Sequence, residues 1–382
     1  ISKVKKIRKK LLILSLFINI GLLCFFKYYN FFLDNFVDAF SFFGLSFEAK
    51  SLSIILPVGI SFYTFQTISY SIDIYKKKIK PSDDFISFVA FVSFFPQLVA
   101  GPIERAANLL PQFHKKRIFS YEIASDGMRQ ILWGLFKKIV IADNCAVFVN
   151  EIFANYSDYS SSTLFLGAVF FAFQIYGDFS GYSDMAIGTA KLFGFHLMQN
   201  FSFPYFSRDI AEFWRRWHIS LSTWFRDYIY IPLGGSRVSE IKKIRKIFII
   251  FIVSGFWHGA NWTFIIWGLL NAVYFLPLMF LNKNRDNLNV IAKNKNLPNL
   301  KELTSVIFTF FLTVIAWIFF RSENVAKAIS YIISLFDLSI FTLPQIISPK
   351  IDMIYTYFML LIFLIFEWLN RDKCFGLDIK TY

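Results

Sequence analysis

Long apolar runs alternate with short polar segments along most of this chain. A transmembrane helix needs about 20 apolar residues to cross ~30 Å of hydrocarbon, and several runs approach or exceed that length. Residues 247–281 form a longer stretch, enough for a helical hairpin or a broken pair of helices around Gly255 and Gly259. The other predicted spans are residues 11–33, 52–75, 121–153, 163–195, 303–320 and 352–369. The pattern predicts an all-α, polytopic integral membrane protein.

Two segments do not fit a simple span. Residues 85–99 are apolar but short; Pro96 interrupts them, and Gly101 and Pro102 follow closely. We predict a re-entrant segment there. Non-helical backbone at membrane depth needs protein or a water cavity to satisfy it, so we expect the GPIER motif at residues 101–105 to form a cavity wall. Residues 196–246 are too polar to cross and are rich in arginine, tryptophan and tyrosine.

Lysine and arginine cluster at the ends of the apolar runs, as in residues 3–10 and 76–80. Residues 34–50 instead carry three acidic residues and one lysine. The positive-inside rule therefore places the basic ends in the cytoplasm and residues 34–50 outside. This orientation accounts for the formal net charge of +14, so nucleic-acid binding is not expected. Only 17% of residues are charged, against about a quarter in soluble domains, which excludes a soluble fold.

The sequence begins at Ile1 rather than at a methionine. The run at residues 11–33, interrupted only by Lys27, is longer than the apolar core of a signal peptide, and no small-residue cleavage site follows it. We therefore predict a retained span in a chain that lacks its natural N-terminus. The three cysteines lie far apart, so they form neither a disulfide framework nor a CxxC metal pair, and we expect them to be packing residues.

His258 stands inside the apolar segment SGFWHGANW. An ionisable residue at membrane depth is costly, so it is by default a functional-site hypothesis. A buried imidazole stays neutral and can accept a proton, as a general base for a hydroxyl nucleophile must. Gly255 and Gly259 would let backbone or substrate approach closely. The alternative is a core histidine satisfied within a helical hairpin, and we favour the functional reading.

His218 lies in an aromatic, arginine-rich segment. On a helix, Arg215, Ser222 and Arg226 face away from an apolar arc of about 120°, and His218 sits at its edge. The arc consists of Ile210, Phe213, Trp214, Trp217, Leu221, Trp224, Phe225 and Tyr228. This pattern predicts an interfacial amphipathic helix, with aromatics among lipid headgroups and arginines in water. The spacing leaves open whether His218 is a functional or a boundary residue.

Asp178 and Asp184 interrupt another apolar pattern. They are six residues apart, so on a straight helix they point about 120° away from each other. They cannot both face one point unless Gly177 and Gly181 break the helix. On an unbroken helix, one carboxylate would line a polar cavity while the other meets the interface. In the structural alternative, a partner such as Arg208, Arg215 or Arg226 would pair with the aspartates. A proton-relay or ion site is the functional alternative.

Other catalytic patterns are absent from the sequence. There is no HExxH and no Cys/His cluster, and the four histidines are scattered, so no metal site is expected. His114 and His196 lie in polar surroundings and are predicted to be surface residues. No GxSxG elbow supports a serine hydrolase.

Six sequence segments indicate a particular protein family more specifically than the general pattern of apolar runs does. They are LPVGISFYTFQ (56–66), PQLVAGPIER (96–105), GLFKKIVIAD (134–143), QIYGDFSGYSDMAIG (174–188), the block from NFSFPY to PLGG (200–235) and SGFWHGANW (254–262). Together they resemble the membrane-bound O-acyltransferase (MBOAT) family, in particular its bacterial alginate O-acetyltransferase-like branch. The resemblance runs in order from about residue 50 to about residue 280, and the flanks match only in character.

The resemblance implies a ring of tilted transmembrane helices around a tunnel, with re-entrant and amphipathic cytoplasmic helices. It implies transfer of an acetyl group, usually from cytoplasmic acetyl-CoA, towards a cell-envelope polysaccharide, often with a separate extracytoplasmic acetyltransferase partner. The family's near-invariant histidine falls on His258 and its second histidine on His218. Relatives have further helices before the position of Ile1, so we expect residues 1–382 to be one MBOAT-type domain lacking N-terminal helices. The expected location is a bacterial cytoplasmic membrane.

For acyl transfer we expect His258 to act as the base, with Asn261 or a nearby backbone N–H as oxyanion donor. His218 would orient the donor or relay a proton. The other candidate binding residues are Arg215, Arg216, Arg226 and Asp178. The arginines suit CoA phosphates, and lipid headgroups are their alternative ligands. No metal or bound cofactor is expected, because acetyl-CoA would enter as a substrate.

Three other readings are kept. A related enzyme would transfer another acyl group, or D-alanine from a carrier protein, and nothing in the sequence separates the donors. A transporter or flippase would use broken helices at Gly177 and Gly255 as a midplane site, but it predicts an inverted repeat that the sequence does not contain. A scaffold without catalysis would tolerate the loss of His258.

Overall fold

The computed structural model describes residues 3–44, 50–347 and 350–378, and within these ranges the chain is helical, without β-strands. The α-helices, numbered along the chain, are α1 (Lys3–Phe42), α2 (Ile60–Tyr75), α3 (Phe85–Val92), α4 (Ala106–Phe113), α5 (Tyr121–Leu135), α6 (Asp143–Ala154), α7 (Ser161–Leu192), α8 (Ile210–Arg216), α9 (Ile219–Phe225), α10 (Glu240–His258), α11 (Trp262–Phe280), α12 (Leu300–Arg321), α13 (Val325–Ser334) and α14 (Lys350–Leu369). Two π-helical segments, Phe136–Ala142 and Arg226–Tyr230, extend α5 and α9.

Five of the described helices are long and apolar enough to cross a membrane: α1, α7, α11, α12 and α14. Helices α1, α7, α12 and α14 correspond to four of the predicted single spans, and α11 is one arm of the predicted hairpin. The all-α, polytopic class is therefore confirmed.

The N-terminal predictions need two corrections. Helix α1 continues to Phe42, so residues 34–42 are not the loop that their acidic side chains suggested; residues 45–49 of that loop lie outside the described part. Helix α2 begins only at Ile60, and residues 52–59 are not helical. Pro57 disfavours helical backbone before it, and Gly59 adopts a left-handed φ of 75°, which interrupts the expected helix.

Helix α5, the first π-helical segment and α6 form one continuous helical stretch, as predicted for residues 121–153. Glycines allow α5 to lie directly against α7: a Cβ placed on Gly134 would be 2.6 Å from the carbonyl oxygen of Gly181. The same relation holds at Gly127, where a Cβ would be 2.7 Å from the carbonyl oxygen of Gly188. This close approach brings polar side chains of the two helices together.

Helices α10 and α11 form the predicted hairpin, which turns at residues 259–261. A Cβ on Gly255 would lie 2.2 Å from the carbonyl oxygen of Phe264, so the arms cross with their backbones nearly in contact. Helix α10 passes unbroken through Gly255, and α7 passes unbroken through Gly177. The broken helices that the transporter reading requires at these two glycines are therefore absent.

The predicted continuous amphipathic helix over residues 210–228 is wrong. It breaks between α8 and α9, where His218 adopts a left-handed φ of 44°. Its aromatic side chains do not face lipid headgroups, because Phe213 and Trp217 are each only 2% exposed and Trp224 is 4% exposed. They pack against other rings of the protein, such as Trp317, whose ring centre lies 5.1 Å from that of Trp217.

The basic ends of several helices meet on one side of the molecule, as the charge pattern predicted. Arg8 at the start of α1 donates to the carbonyl oxygen of Tyr75 at the end of α2, at 2.8 Å. Lys191 at the end of α7 forms an ion pair of 2.5 Å with Asp126 near the start of α5. We call this side, where α1, α5, α10 and α12 begin and α2, α7, α11 and α14 end, the basic end.

Candidate active site

A cavity of about 430 Å³ lies beside His258. Its walls come from α1, α2, α7, α10 and α12, and from Val99 and Ala100, which directly precede the GPIER motif. The cavity wall predicted for the GPIER motif is therefore formed by the two residues before it, and residues 101–105 are not among the lining residues. His258 ends α10, and its ring is half-buried rather than enclosed. The imidazole can therefore be reached by a molecule in the cavity.

Aromatic side chains hold the His258 ring from several sides. The ring centres of Trp267 and Phe320 are each 5.1 Å from the imidazole, in edge-to-face geometry. Trp257 is 4.8 Å away and also lines the cavity. Within the described ranges no side chain hydrogen-bonds to His258, so its ring nitrogens are available to a ligand.

His218 lies behind the wall of this cavity and is 1% exposed. Phe179, a lining residue, packs edge-on against it with ring centres 4.6 Å apart. Trp257, another lining residue, is 6.1 Å away. The structure therefore brings the two predicted histidines to the same site, with aromatic rings around them.

Asn200 determines which nitrogen of His218 carries the proton. Its amide donates to Ser183 at 3.0 Å, and its oxygen accepts from Ser220 Oγ at 2.8 Å. The same oxygen is 3.0 Å from His218 Nδ1, which must then be the protonated nitrogen. Nε2 is left with a lone pair and, among the described residues, has no hydrogen-bond partner. Burial, with a further contribution from nearby His258, lowers the pKa of His218 well below its ordinary value, so the ring is neutral.

Asp178 lines the His258 cavity. This agrees with the prediction that one of the two aspartates lines a polar cavity. It pairs with Lys138 at 2.8 Å, and Lys138 also contacts Asp143 at 2.8 Å. Asp184 points elsewhere, into a buried ion pair of 2.5 Å with Lys137. The expected arginine partners are therefore wrong: the consecutive residues Lys137 and Lys138 pair with the two diverging aspartates.

Asn261 is placed differently from the expectation. It caps α11 by accepting from the backbone N–H of Thr263 at 3.0 Å, and its amide donates to the carbonyl oxygen of Glu323 at 2.7 Å. It is not among the side chains that line the His258 cavity. These contacts give Asn261 the structural role of fixing the turn after His258.

Two of the three predicted phosphate-binding arginines are engaged within the protein. Arg215 donates to the carbonyl oxygens of Asn284 and Asn287, each at 2.8 Å. Arg216 pairs with buried Glu212 at 2.8 Å. Arg226 is exposed, contacts Asp227 at 2.8 Å and lines a groove of about 160 Å³. Arg226 is therefore exposed to the groove, whereas Arg215 and Arg216 are held by contacts within the protein.

A second cavity, of about 440 Å³, lies at the basic end near the start of α10 and the end of α11. Lys243 and Arg285 line it, and Lys243 also pairs with Glu240 at 2.6 Å. The cavity shares Tyr230 with the groove beside Arg226, and that groove extends along α10 to Ser254. Since Ser254 is one helical turn before His258, the groove leads from the basic end towards the histidine site.

Sequence reasoning missed Lys27 and Asn200. Lys27 lines the His258 cavity, and its signal was a lone ionisable residue inside an apolar run. Asn200 gave no such signal, because its role depends on contacts between segments distant in sequence. His114 and His196 are exposed, as predicted. No group of three or more His, Cys, Asp or Glu residues in the described ranges could hold a metal ion.

Comparison with known proteins gives the same family as the motifs. The family described as "MBOAT, membrane-bound O-acyltransferase family" matches residues 76–320. The probable alginate O-acetylase AlgI of Pseudomonas aeruginosa is 36% identical over 97% of this chain and 68% of its own length. The peptidoglycan O-acetyltransferase of Helicobacter pylori is 39% identical over 83% of this chain and 63% of its own length. The teichoic acid D-alanyltransferase of Bacillus subtilis is 26% identical over 70% of this chain and 69% of its own length.

The family match covers more than half of the chain, and the apolar helices agree with it. The bacterial relatives are consistent with the cytoplasmic membrane as the location. The chain therefore belongs to the membrane-bound O-acyltransferase (MBOAT) family and is a multi-pass, integral-membrane O-acyltransferase.

Proposed function

We propose that this protein transfers an acetyl group from acetyl-CoA to a hydroxyl of a cell-envelope polysaccharide, with His258 as general base. The observation that carries the proposal is the half-buried, otherwise unengaged imidazole of His258 at the wall of a 430 Å³ cavity. An acetyl donor is favoured because the polysaccharide- and peptidoglycan-acetylating relatives are 36–39% identical, whereas the D-alanyl-transferring relative is 26% identical.

The basic end is the proposed entrance for the donor. Arg285 and Lys243 line the cavity there, and guanidinium and ammonium groups bind phosphate oxygens well. The apolar groove past Ile250 and Phe251 would hold the pantetheine arm and direct its thioester towards Ser254. In this proposal Arg226, which lines the groove, is a phosphate ligand. Arg215 would act indirectly, because it holds the backbone of Asn284, which lines the entrance.

The reaction needs one base and one proton path. His258 takes the proton of the attacking hydroxyl while the oxygen of that hydroxyl bonds to the thioester carbon. The tetrahedral intermediate then collapses, the C–S bond breaks, and the leaving thiolate takes the proton from the imidazolium. The proton is thereby conserved, so no cofactor or metal is required.

His218 would support this step through a neutral ring. The Asn200 contact leaves its Nε2 as an acceptor, and the Phe179 and Trp257 rings separate it from open solvent. Because this acceptor lies behind the cavity wall, the role that we propose for it is to receive a proton in relay. Further acetyl transfer by an extracytoplasmic acetyltransferase partner belongs to the same proposal and is supported by the family resemblance.

The test uses purified protein in lipid nanodiscs with radiolabelled acetyl-CoA. De-O-acetylated alginate oligosaccharides and de-O-acetylated peptidoglycan fragments serve as acceptors, and D-alanyl carrier protein serves as the competing donor. We expect alkali-labile ester to form on the acceptor with acetyl-CoA as donor, and no ester to form with the D-alanyl carrier protein as donor. Ester formation from the D-alanyl carrier alone would replace acetyl transfer by D-alanyl transfer.

A further inference from the structure

Lys27 is a charged residue within the first apolar helix. A lysine at membrane depth is expensive and is usually kept for a function. In this protein Lys27 faces inward, is half-buried and lines the cavity that also contains His258. The general-base step at His258 leaves this cation without a role.

The ammonium group is held next to the base. Its Nζ donates to the carbonyl oxygen of Trp257, the residue directly before His258, and to Ser61 Oγ at 3.3 Å. The ammonium also lies 5.6 Å from the centre of the Trp257 ring. An ammonium has three N–H donors, and the described residues provide acceptors for two. One donor is therefore available to a molecule in the cavity.

The positive charge of Lys27 is also uncompensated. No carboxylate of the described residues lies within ion-pair distance of it, whereas Asp178, the acidic residue of the same cavity, pairs with Lys138 at 2.8 Å. The rest of the lining near His258 is mainly aromatic, including Trp317 and Phe320. In such apolar surroundings an unpaired cation interacts strongly with any negative charge that develops nearby.

We propose that Lys27 is a catalytic residue, whose ammonium binds the thioester carbonyl oxygen and stabilises the oxyanion formed when the hydroxyl attacks. This inference rests on the proposed function, because it assigns the electrophilic partner to the base His258. As the C–O bond forms and the hydroxyl proton moves to His258, the carbonyl π electrons move onto the oxygen that Lys27 contacts. When the C–S bond breaks, the carbonyl re-forms and the ammonium is unchanged.

A purely structural role would look different. Lys27 and its neighbour Tyr28 both fasten α1 to the last turn of α10, since the Tyr28 hydroxyl donates to the carbonyl oxygen of Phe256 at 2.8 Å. Tyr28→Phe removes one such fastening without changing the charge of the cavity. It is therefore the matched control for Lys27→Met, which removes a fastening and the ammonium together.

The experiment measures kcat and KM for acetyl-CoA and for the oligosaccharide acceptor in nanodiscs, with wild type, K27M, K27R and Y28F. Loss of one oxyanion donor lowers kcat by about 10²–10³-fold, so we expect K27M to fall by that factor with both KM values changed little. K27R is expected to recover part of the rate because it restores a cation, and Y28F is expected to lose far less than K27M.

Three results would overturn the assignment. Equal losses in K27M and Y28F would make Lys27 a fastening of α10. A raised KM for the acceptor at unchanged kcat would make it a binding residue for an acidic group of the polysaccharide. A K27M rate equal to wild type would give it no role in catalysis. His258→Ala, assayed in parallel, separates the two proposals: if it is inactive while K27M is normal, only the Lys27 inference fails.

Discussion

The buried ion pair between Lys137 and Asp184 gives a quantitative prediction of stability. The two charges are 2.5 Å apart, and their side chains are 3% and 12% exposed. Lys137 also donates to Ser180 Oγ at 2.8 Å, and Asp184 accepts from Gln130 at 2.8 Å. The pair joins the π-helical segment after α5 to α7 at the helix interface that the glycines bring together. Lys137→Met removes the cation and leaves the carboxylate buried.

The magnitude follows from what the carboxylate loses. In the variant, Asp184 keeps one hydrogen bond from a neutral amide, and no other cation is within 4 Å of it among the described residues. Removing one partner of a buried pair costs about 3–5 kcal/mol, because the remaining charge is uncompensated. Replacing both charges avoids this cost, so Lys137→Met with Asp184→Asn should recover at least half of the lost free energy of unfolding.

The assay is reversible unfolding in mixed detergent micelles, followed by circular dichroism, for wild type, both single variants and the double variant. The double-mutant cycle isolates the pair energy from other effects of each substitution. If the free energy of unfolding of Lys137→Met is within about 1 kcal/mol of the wild-type value, the pair does not stabilise the contact between the π-helical segment and α7, and the reasoning from burial is refuted.

Three further predictions concern packing, His218 and the donor. Gly134→Leu should prevent α5 from packing on α7, because a Cβ at this position would be 2.6 Å from a carbonyl oxygen of α7. We expect the variant to lose its monodisperse peak in size-exclusion chromatography, and a wild-type elution profile would contradict this. Asn200→Leu should lower the acetyl-transfer rate by about 10²-fold or more, because it removes the acceptor for the His218 Nδ1–H. Asn200→Asp keeps an acceptor oxygen and should retain more activity. Equal acetyl-transfer rates for the two variants would contradict the tautomer argument. Arg285→Ala should raise the KM for acetyl-CoA with little change in kcat. Lys301→Ala changes a residue outside the cavity and should leave this KM at the wild-type value. Identical KM values for the two variants would show that the basic cavity does not bind the donor.

Much of the fold follows from properties that a sequence displays directly. Helices α7, α12 and α14 were predicted within a few residues because length and apolarity together decide whether a segment spans the bilayer. The hairpin of α10 and α11 was predicted from its length and from Gly255 and Gly259. The prediction that His258 is functional comes from the same kind of signal, because a lone ionisable residue in an apolar segment is rare and costly.

The remaining features depend on contacts that periodicity does not encode. Residues 210–228 fit a helical arc, yet the chain breaks at His218, where the Ile219 N–H donates instead to the backbone oxygen of Asn200 at 2.8 Å. Hydropathy treats lipid and protein interior alike, so it could not show that Trp224 is buried against Phe65, with ring centres 4.3 Å apart. Asn261 is a candidate because of its proximity in sequence, but its side-chain oxygen caps α11 by accepting from the Thr263 N–H.

The most direct test of the account is the rate of acetyl transfer from labelled acetyl-CoA by the His258→Ala protein, purified and inserted as wild type. The matched control is His114→Ala, which changes an exposed histidine outside the cavity. The account predicts a loss of about 10²–10⁴-fold or more for His258→Ala and a wild-type rate for His114→Ala. A His258→Ala protein that still transfers acetyl groups at the wild-type rate would contradict the central claim that this imidazole is the base.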